Sequence, residues 1–136
     1  MRLLKRIVFY ATIVIMGSGF EPKDQYSYSL IVFEGSDWCA RCRRLEQAVL
    51  SDTIFLQQLE RNSIGIEKID FPQREKISAE AKLYNQTVAE KYAFDGSFPT
   101  LILTRTDTFI YRKIHYSYES TDKMLALINS AKSALQ

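Results

Sequence analysis

The pair Cys39 and Cys42 sits where two kinds of residue pattern meet. Directly before it runs Leu30-Ile31-Val32-Phe33, a β-branched and aromatic stretch that reads as a buried strand, closed by Glu34-Gly35-Ser36-Asp37. Directly after it, Leu45, Ala48, Val49 and Leu50 recur at helical spacing. The two sulfurs are therefore expected at a strand–turn–helix junction, at the first turn of the helix. There a sulfur faces unpaired backbone N–H groups and the positive end of the helix dipole. Both favour thiolate over thiol, and thiolate is the reactive species. Cys39, at the exposed end, is expected to be the nucleophile, and Cys42, one turn further in, to resolve a mixed disulfide. Arg41 and Arg43 add positive charge beside the sulfurs and are expected to tune them, with Arg44 nearby. The same three arginines also suit a solvated helix face.

The rest of the chain reads as more strands and helices. Asp52 is placed to cap a helix carrying Ile54, Phe55 and Leu59. Ile64, Ile66 and Ile69 suggest a second strand. Ser78 to Tyr92 carries Ala81, Leu83, Tyr84, Val88, Ala89 and Tyr92 as the apolar side of a long helix. Leu101-Ile102-Leu103 and Phe109 to Ile114 read as two more strands. Ser120 is placed to cap a last helix with Met124, Leu125, Leu127, Ile128 and Leu135 inward. The order is β-α-α-β-α-β-β-α, an α/β fold with a central mixed sheet flanked by helices. His115 is expected at the surface or on an edge. Tyr26, Tyr28, Tyr116 and Tyr118 fall near the strand ends, as a partner surface or as scattered half-buried rings.

A chain of 136 residues has room for one domain. Its 46 % apolar and 25 % charged residues exclude disorder as the main state. Two cysteines are too few for a disulfide scaffold or an all-cysteine zinc site, and one histidine adds little to a metal site. Haem attachment wants histidine after the second cysteine, where Arg43 stands. A formal charge of +2 gives no nucleic-acid signal.

That charge is unevenly placed. Residues 1–19 carry Arg2, Lys5 and Arg6 with no acid, followed by the apolar run Ile7 to Met16 and then Gly17-Ser18-Gly19. This is the pattern of a signal peptide, expected to be removed. A run of about 10 residues is short of the roughly 20 that span a bilayer. An uncleaved membrane anchor over residues 7–20, or a first element of the fold, are the other readings. Without residues 1–19 the formal charge falls from +2 to about −1. Residues 20–28 then read as a polar linker, and residues 29–136 as the folded domain.

The segment Phe33 to Glu46 (FEGSDWCARCRRLE) resembles the thioredoxin superfamily, most closely an exported bacterial subgroup whose active-site run is Gly-Ser-Asp-Trp-Cys-x-x-Cys. A second match, Ser97-Phe98-Pro99-Thr100, stands just before the third strand, with Pro99 57 residues after Cys42. It resembles the superfamily's cis-proline loop. The resemblance spans roughly residues 27–135 and implies the thioredoxin fold and thiol–disulfide exchange with protein substrates and a redox partner protein. It implies no metal or organic cofactor, a monomer, and a periplasmic location or anchoring at the inner membrane. Cys39 and Cys42 match the catalytic pair. Trp38 matches the aromatic residue that shapes docking, and Phe98, Pro99 and Thr100 match the loop that pairs with an extended substrate segment. Core packing for Trp38 and a strand-start role for Pro99 are the plainer alternatives. A non-catalytic binding module with a structural disulfide is the alternative for the whole chain.

The family's buried aspartate, six residues before the first cysteine, falls here on Phe33. Glu34 is adjacent, but alternation along the strand is expected to turn it to the other face. Cys42 is then expected to lack an internal base. Whether exchange runs toward oxidation or reduction is a matter of potential, near −120 mV for a strong oxidant and near −270 mV for a reductant.

Overall fold

The computed structural model describes residues 25–136. The expected export segment and most of the expected linker lie outside the described residues. The elements are β1 (Tyr28–Glu34), α1 (Ala40–Leu45), a π-helical stretch Glu46–Leu50, α2 (Thr53–Arg61), β2 (Ile64–Asp70), α3 (Ala79–Lys91), β3 (Thr100–Arg105), β4 (Tyr111–Ile114) and α4 (Thr121–Ser133). This is the order expected from the sequence. Ser51 N–H donates to Glu46 O at 2.9 Å, the five-residue spacing that marks the π-helical stretch.

The strands lie in the order β2-β1-β3-β4, with β1 and β2 parallel and the other pairs antiparallel. β1 is central and covered on both faces, which is why Leu30 to Phe33 is apolar without alternation. Its side chains divide by the strand period of two. Leu30 and Val32 pack with Leu45, Val49, Phe55, Leu59, Met124 and Ile128. Ile31 and Phe33 pack with Ile69, Val88, Tyr92 and Ile102. So α1, α2 and α4 cover one face of the sheet and α3 the other.

Capping follows the sequence. The Asp52 carboxylate accepts from the N–H groups of Ile54 and Phe55, Ser78 Oγ from Ala81, and Ser120 Oγ from Lys123.

Three expectations needed correction. β1 begins at Tyr28, which pairs with Ile64 and Arg105, two residues before the apolar run. β4 begins at Tyr111 and not at Phe109. The β3–β4 pairing ends at Thr104 opposite Tyr111, the Arg105–Asp107 ion pair closes the turn, and Phe109 is left 80 % exposed. On α3, Leu83 and Tyr84 stay exposed. The only helix on its face among the described residues, α3 buries a narrow stripe of Val88 and Asn85, with Tyr92 just past its end. Asn85 Nδ2 donates to Asp70 O at 2.6 Å, which satisfies its amide.

Candidate active site

The site is built at the C-terminal end of β1. After Glu34 the chain turns on Gly35, whose carbonyl oxygen accepts from the N–H of Trp38 at 3.2 Å and of Cys39 at 2.8 Å. A Cβ at Gly35 would overlap the Trp38 indole, so the turn requires glycine.

Residues 34–38 are stitched to the end of β2 and the segment that follows it. Ser36 donates from its N–H and its hydroxyl to the Asp70 carboxylate, at 2.8 and 2.5 Å. The Asp37 carboxylate accepts from the N–H of Gln73, Arg74 and Glu75, at 2.9, 2.7 and 2.8 Å. These bonds, Gln73 foremost, hold the Asp37 carboxyl below its ordinary range. Trp38 Nε1 donates to Phe71 O at 2.8 Å, and Phe71 N–H donates to Glu34 O at 2.8 Å.

Cys39 is the N-cap of α1, with φ −85° and ψ 106°. It is disulfide-bonded to Cys42. The Cys42 N–H points at Cys39 Sγ, 3.2 Å away. A thiolate at Cys39 would therefore meet a backbone donor already aimed at it. Cys39 is 7 % exposed and Cys42 1 %, so Cys39 is the sulfur an incoming group meets first.

Opposite lies the loop before β3, where the Phe98–Pro99 peptide bond is cis. Phe98 meets Trp38 edge-on at 5.1 Å between ring centroids. Phe98 also meets Phe94 at 5.1 Å and Phe71 at 5.8 Å, and Phe94 stacks on Phe33 at 4.3 Å. An aromatic column thus runs from the core strand to the dithiol. Thr100 Oγ1 donates to Ser97 O at 2.6 Å and closes the loop. Cys39, Cys42, Trp38, Phe98, Pro99 and Thr100, drawn from two stretches of sequence, are thereby gathered at one end of the sheet.

The two arginines expected to tune the sulfurs are differently placed. Arg41 Nη2 donates to Tyr116 O at 2.8 Å, and its guanidinium lies over the Tyr118 ring. Arg43 is exposed, and no ion pair among the described residues involves it. His115 is exposed, as expected. No cluster of three or more metal-ligating side chains occurs among the described residues.

The reading of Glu34 is corrected. Glu34 does alternate with Phe33, but Phe33 is the one turned away from the dithiol helix, into the α3 cluster. Glu34 alternates onto the face of Leu30 and Val32, which pack with Leu45 of α1, and is 8 % exposed. The charges it feels are Lys68, Asp70 and Glu46, and Glu46 lies one helical turn beyond Cys42. Burial pushes the Glu34 carboxyl up, Lys68 pulls it back, and Asp70 and Glu46 push it further up. Counting six residues back from Cys39 missed it, because strand pairing, with Val32 opposite Lys68, sets the face. Asp37, Asp70 and Phe71 were missed too, since their partners are 33 to 38 residues away.

No family model matches the chain, and no curated protein sequence matches it. Solved structures do. A DsbH oxidoreductase superimposes with a TM-score of 0.69 at 20 % identity, over 79 % of this chain and 74 % of that one. The reduced C-terminal domain of DsbD from Neisseria meningitidis gives 0.56 at 15 % identity, over 79 % and 84 %. A thioredoxin from Thermus thermophilus gives 0.50 at 17 % identity, over 76 % and 72 %. Four strands in the order β2-β1-β3-β4, with helices on both faces, superimpose on these three neighbours; the chain has the thioredoxin fold.

Proposed function

We propose that this chain is an exported thiol–disulfide oxidoreductase that exchanges disulfides with protein substrates through Cys39 and Cys42. The observation that carries the reading is the Cys39–Cys42 disulfide at the N-cap of α1, with the Cys42 N–H aimed at Cys39 Sγ. In the reducing direction the Cys39 thiolate attacks one sulfur of a substrate disulfide and displaces the other as a thiolate. The Cys42 thiolate then attacks Cys39 Sγ, forms the intramolecular disulfide and releases the substrate's second thiol. Two electrons pass from the dithiol to the substrate, and no metal or organic cofactor is required. Oxidation is the same path reversed. Glu34, buried on the sheet face that carries Leu30 and Val32, is the group we assign to take the Cys42 proton. Trp38 and Phe98 form the rim that meets the substrate, and the backbone at Phe98 to Thr100 is the edge an extended segment would pair with. Arg41 and Arg43 contribute positive potential around Cys39.

Export rests on residues 1–19, which read as a signal segment, and on the likeness of GSDWCARC to an exported bacterial subgroup. A periplasmic monomer is the state this supports. Among the described residues no helix is long and apolar enough to cross a membrane. The test of activity is reduction of insulin disulfides. The wild-type protein is expected to catalyse it and Cys39→Ser to abolish it, while Cys42→Ser accumulates a mixed disulfide with substrate. Turnover by Cys39→Ser at the wild-type rate would refute the assignment.

A further inference from the structure

We propose that Arg41, Arg44 and Tyr118 form a docking patch for an acidic segment of the protein whose cysteine reacts with Cys39. The proposal rests on the dithiol reading above and names the substrate class it favours.

Arg41 and Arg44 are three residues apart on α1 and share one flank of the helix. Their guanidinium carbons lie 5.5 and 5.3 Å from the centroid of the same ring, Tyr118. Arg41 is fixed further by its bond to Tyr116 O. Tyr118 has a φ of 64°, a left-handed conformation that a residue with a large side chain rarely adopts. Its ring rests on Tyr116 at 5.6 Å, and Tyr116 is buried. Tyr118 is nonetheless 54 % exposed. Ring and cations are thus held in place and face water.

Among the described residues, neither Arg41 nor Arg44 is in an ion pair; the pairs there are Lys68–Glu46 and Arg105–Asp107. The acid of the same loop, Glu119, accepts from the Ser117 N–H and faces Lys123 and His115. Two guanidiniums sharing one ring repel each other, so an added carboxylate relieves the repulsion while gaining two donors. An apolar partner would bury both guanidiniums with no such return. Arginine and tyrosine are also the side-chain types that dominate binding energy at interfaces. Because Arg41 stands between Cys39 and Cys42, a carboxylate bound here belongs within a few residues of the partner's reacting cysteine. Arg43, by helical spacing, lies on the opposite flank and is not part of the patch.

The experiment compares two synthetic peptide disulfides, identical except that the residues flanking cysteine are Glu in one and Lys in the other. Rate constants are measured with the reduced protein. At low ionic strength the acidic peptide is expected to react faster by about fivefold or more, with the ratio falling toward one as salt is added. Arg44→Glu is expected to abolish or invert the ratio. Arg61→Glu changes the net charge equally but lies in the last turn of α2, by the Ser63–Tyr28 end of β1, away from the dithiol. It is expected to leave the ratio unchanged. Equal rates for the two peptides with the wild type, or the same loss in Arg61→Glu as in Arg44→Glu, would overturn the patch. The absolute rates relative to free cysteine report separately on the dithiol reading, since the ratio is readable whether or not they are fast.

Discussion

The Trp38 indole N–H donates to the Phe71 carbonyl at 2.8 Å, across 33 residues of chain, and ties the residue before Cys39 to the segment after β2. The same segment is gripped by Asp37 through three backbone N–H groups. Two neighbouring side chains thereby set the wall of the site, and the dithiol inherits its surroundings from a loop that carries no cysteine.

The grip of Asp37 depends on its charge. Its carboxyl is held below the ordinary range by those N–H groups, so its contribution is complete above the unfolded value of about 3.9. The contribution is lost as pH falls through the lower, folded value. Asp37→Asn is expected to unfold at lower temperature than wild type at pH 7. The gap is expected to narrow as pH falls through that lowered value. Thermal unfolding of both proteins across that range checks it, and a gap independent of pH would count against a charged clamp.

At Gly35 the constraint is space. A methyl group there meets the Trp38 ring, and overpacking of this kind costs about 1–3 kcal/mol. Gly35→Ala is expected to lower the urea midpoint and to shift the fluorescence of Trp38, the chain's one tryptophan. A normal spectrum would show that the turn accommodates the methyl without moving the indole.

Phe33 supports the site from beneath. It is fully buried and stacks on Phe94, which in turn meets Phe98. Phe33→Ala is expected to cost about 3–5 kcal/mol in denaturant unfolding. Phe33→Leu keeps most of the volume and is expected to cost less than half as much. Equal losses would mean that ring stacking, and not filled space, is what the position supplies.

Glu34 makes two separable predictions. Its folded carboxyl is raised, chiefly by burial, so ionising it disfavours the folded state. That penalty sets in as pH rises above the unfolded value of about 4.3 and grows up to the raised folded value. Stability of Glu34→Gln relative to wild type is therefore expected to improve as pH rises above the unfolded carboxyl value, by urea unfolding of the oxidised proteins. In rapid-mixing kinetics, formation of the mixed disulfide should be unaffected, and its resolution by Cys42 should slow by about 10²-fold. A slowed first step would place Glu34 in attack and not in resolution.

The two runs that carry the resemblance, Trp38-Cys39 and Phe98-Pro99, are short and were legible in sequence, and the structure brings them together through the Trp38–Phe98 ring contact. The acidic residues were harder. Glu34 and Asp37 are ordinary polar residues in sequence, and what distinguishes them is the sheet face each occupies and the loop each meets. Arg41 and Arg43 look equivalent as sequence, yet a carbonyl 75 residues away holds Arg41 and leaves Arg43 on the other flank.

The order of elements, the caps at Asp52 and Ser120 and the helix-start position of Cys39 were determined by the sequence alone. Each depends on interactions within a few residues, where side-chain period and reach are local quantities. Which face of β1 lies under the dithiol helix, and so where Glu34 points, was decided only by tertiary structure. So were the Asp37 clamp on residues 73–75 and the meeting of Arg41 and Arg44 over Tyr118. The physical reason is that strand register and loop closure bring together groups tens of residues apart, and no local pattern encodes which of them will meet.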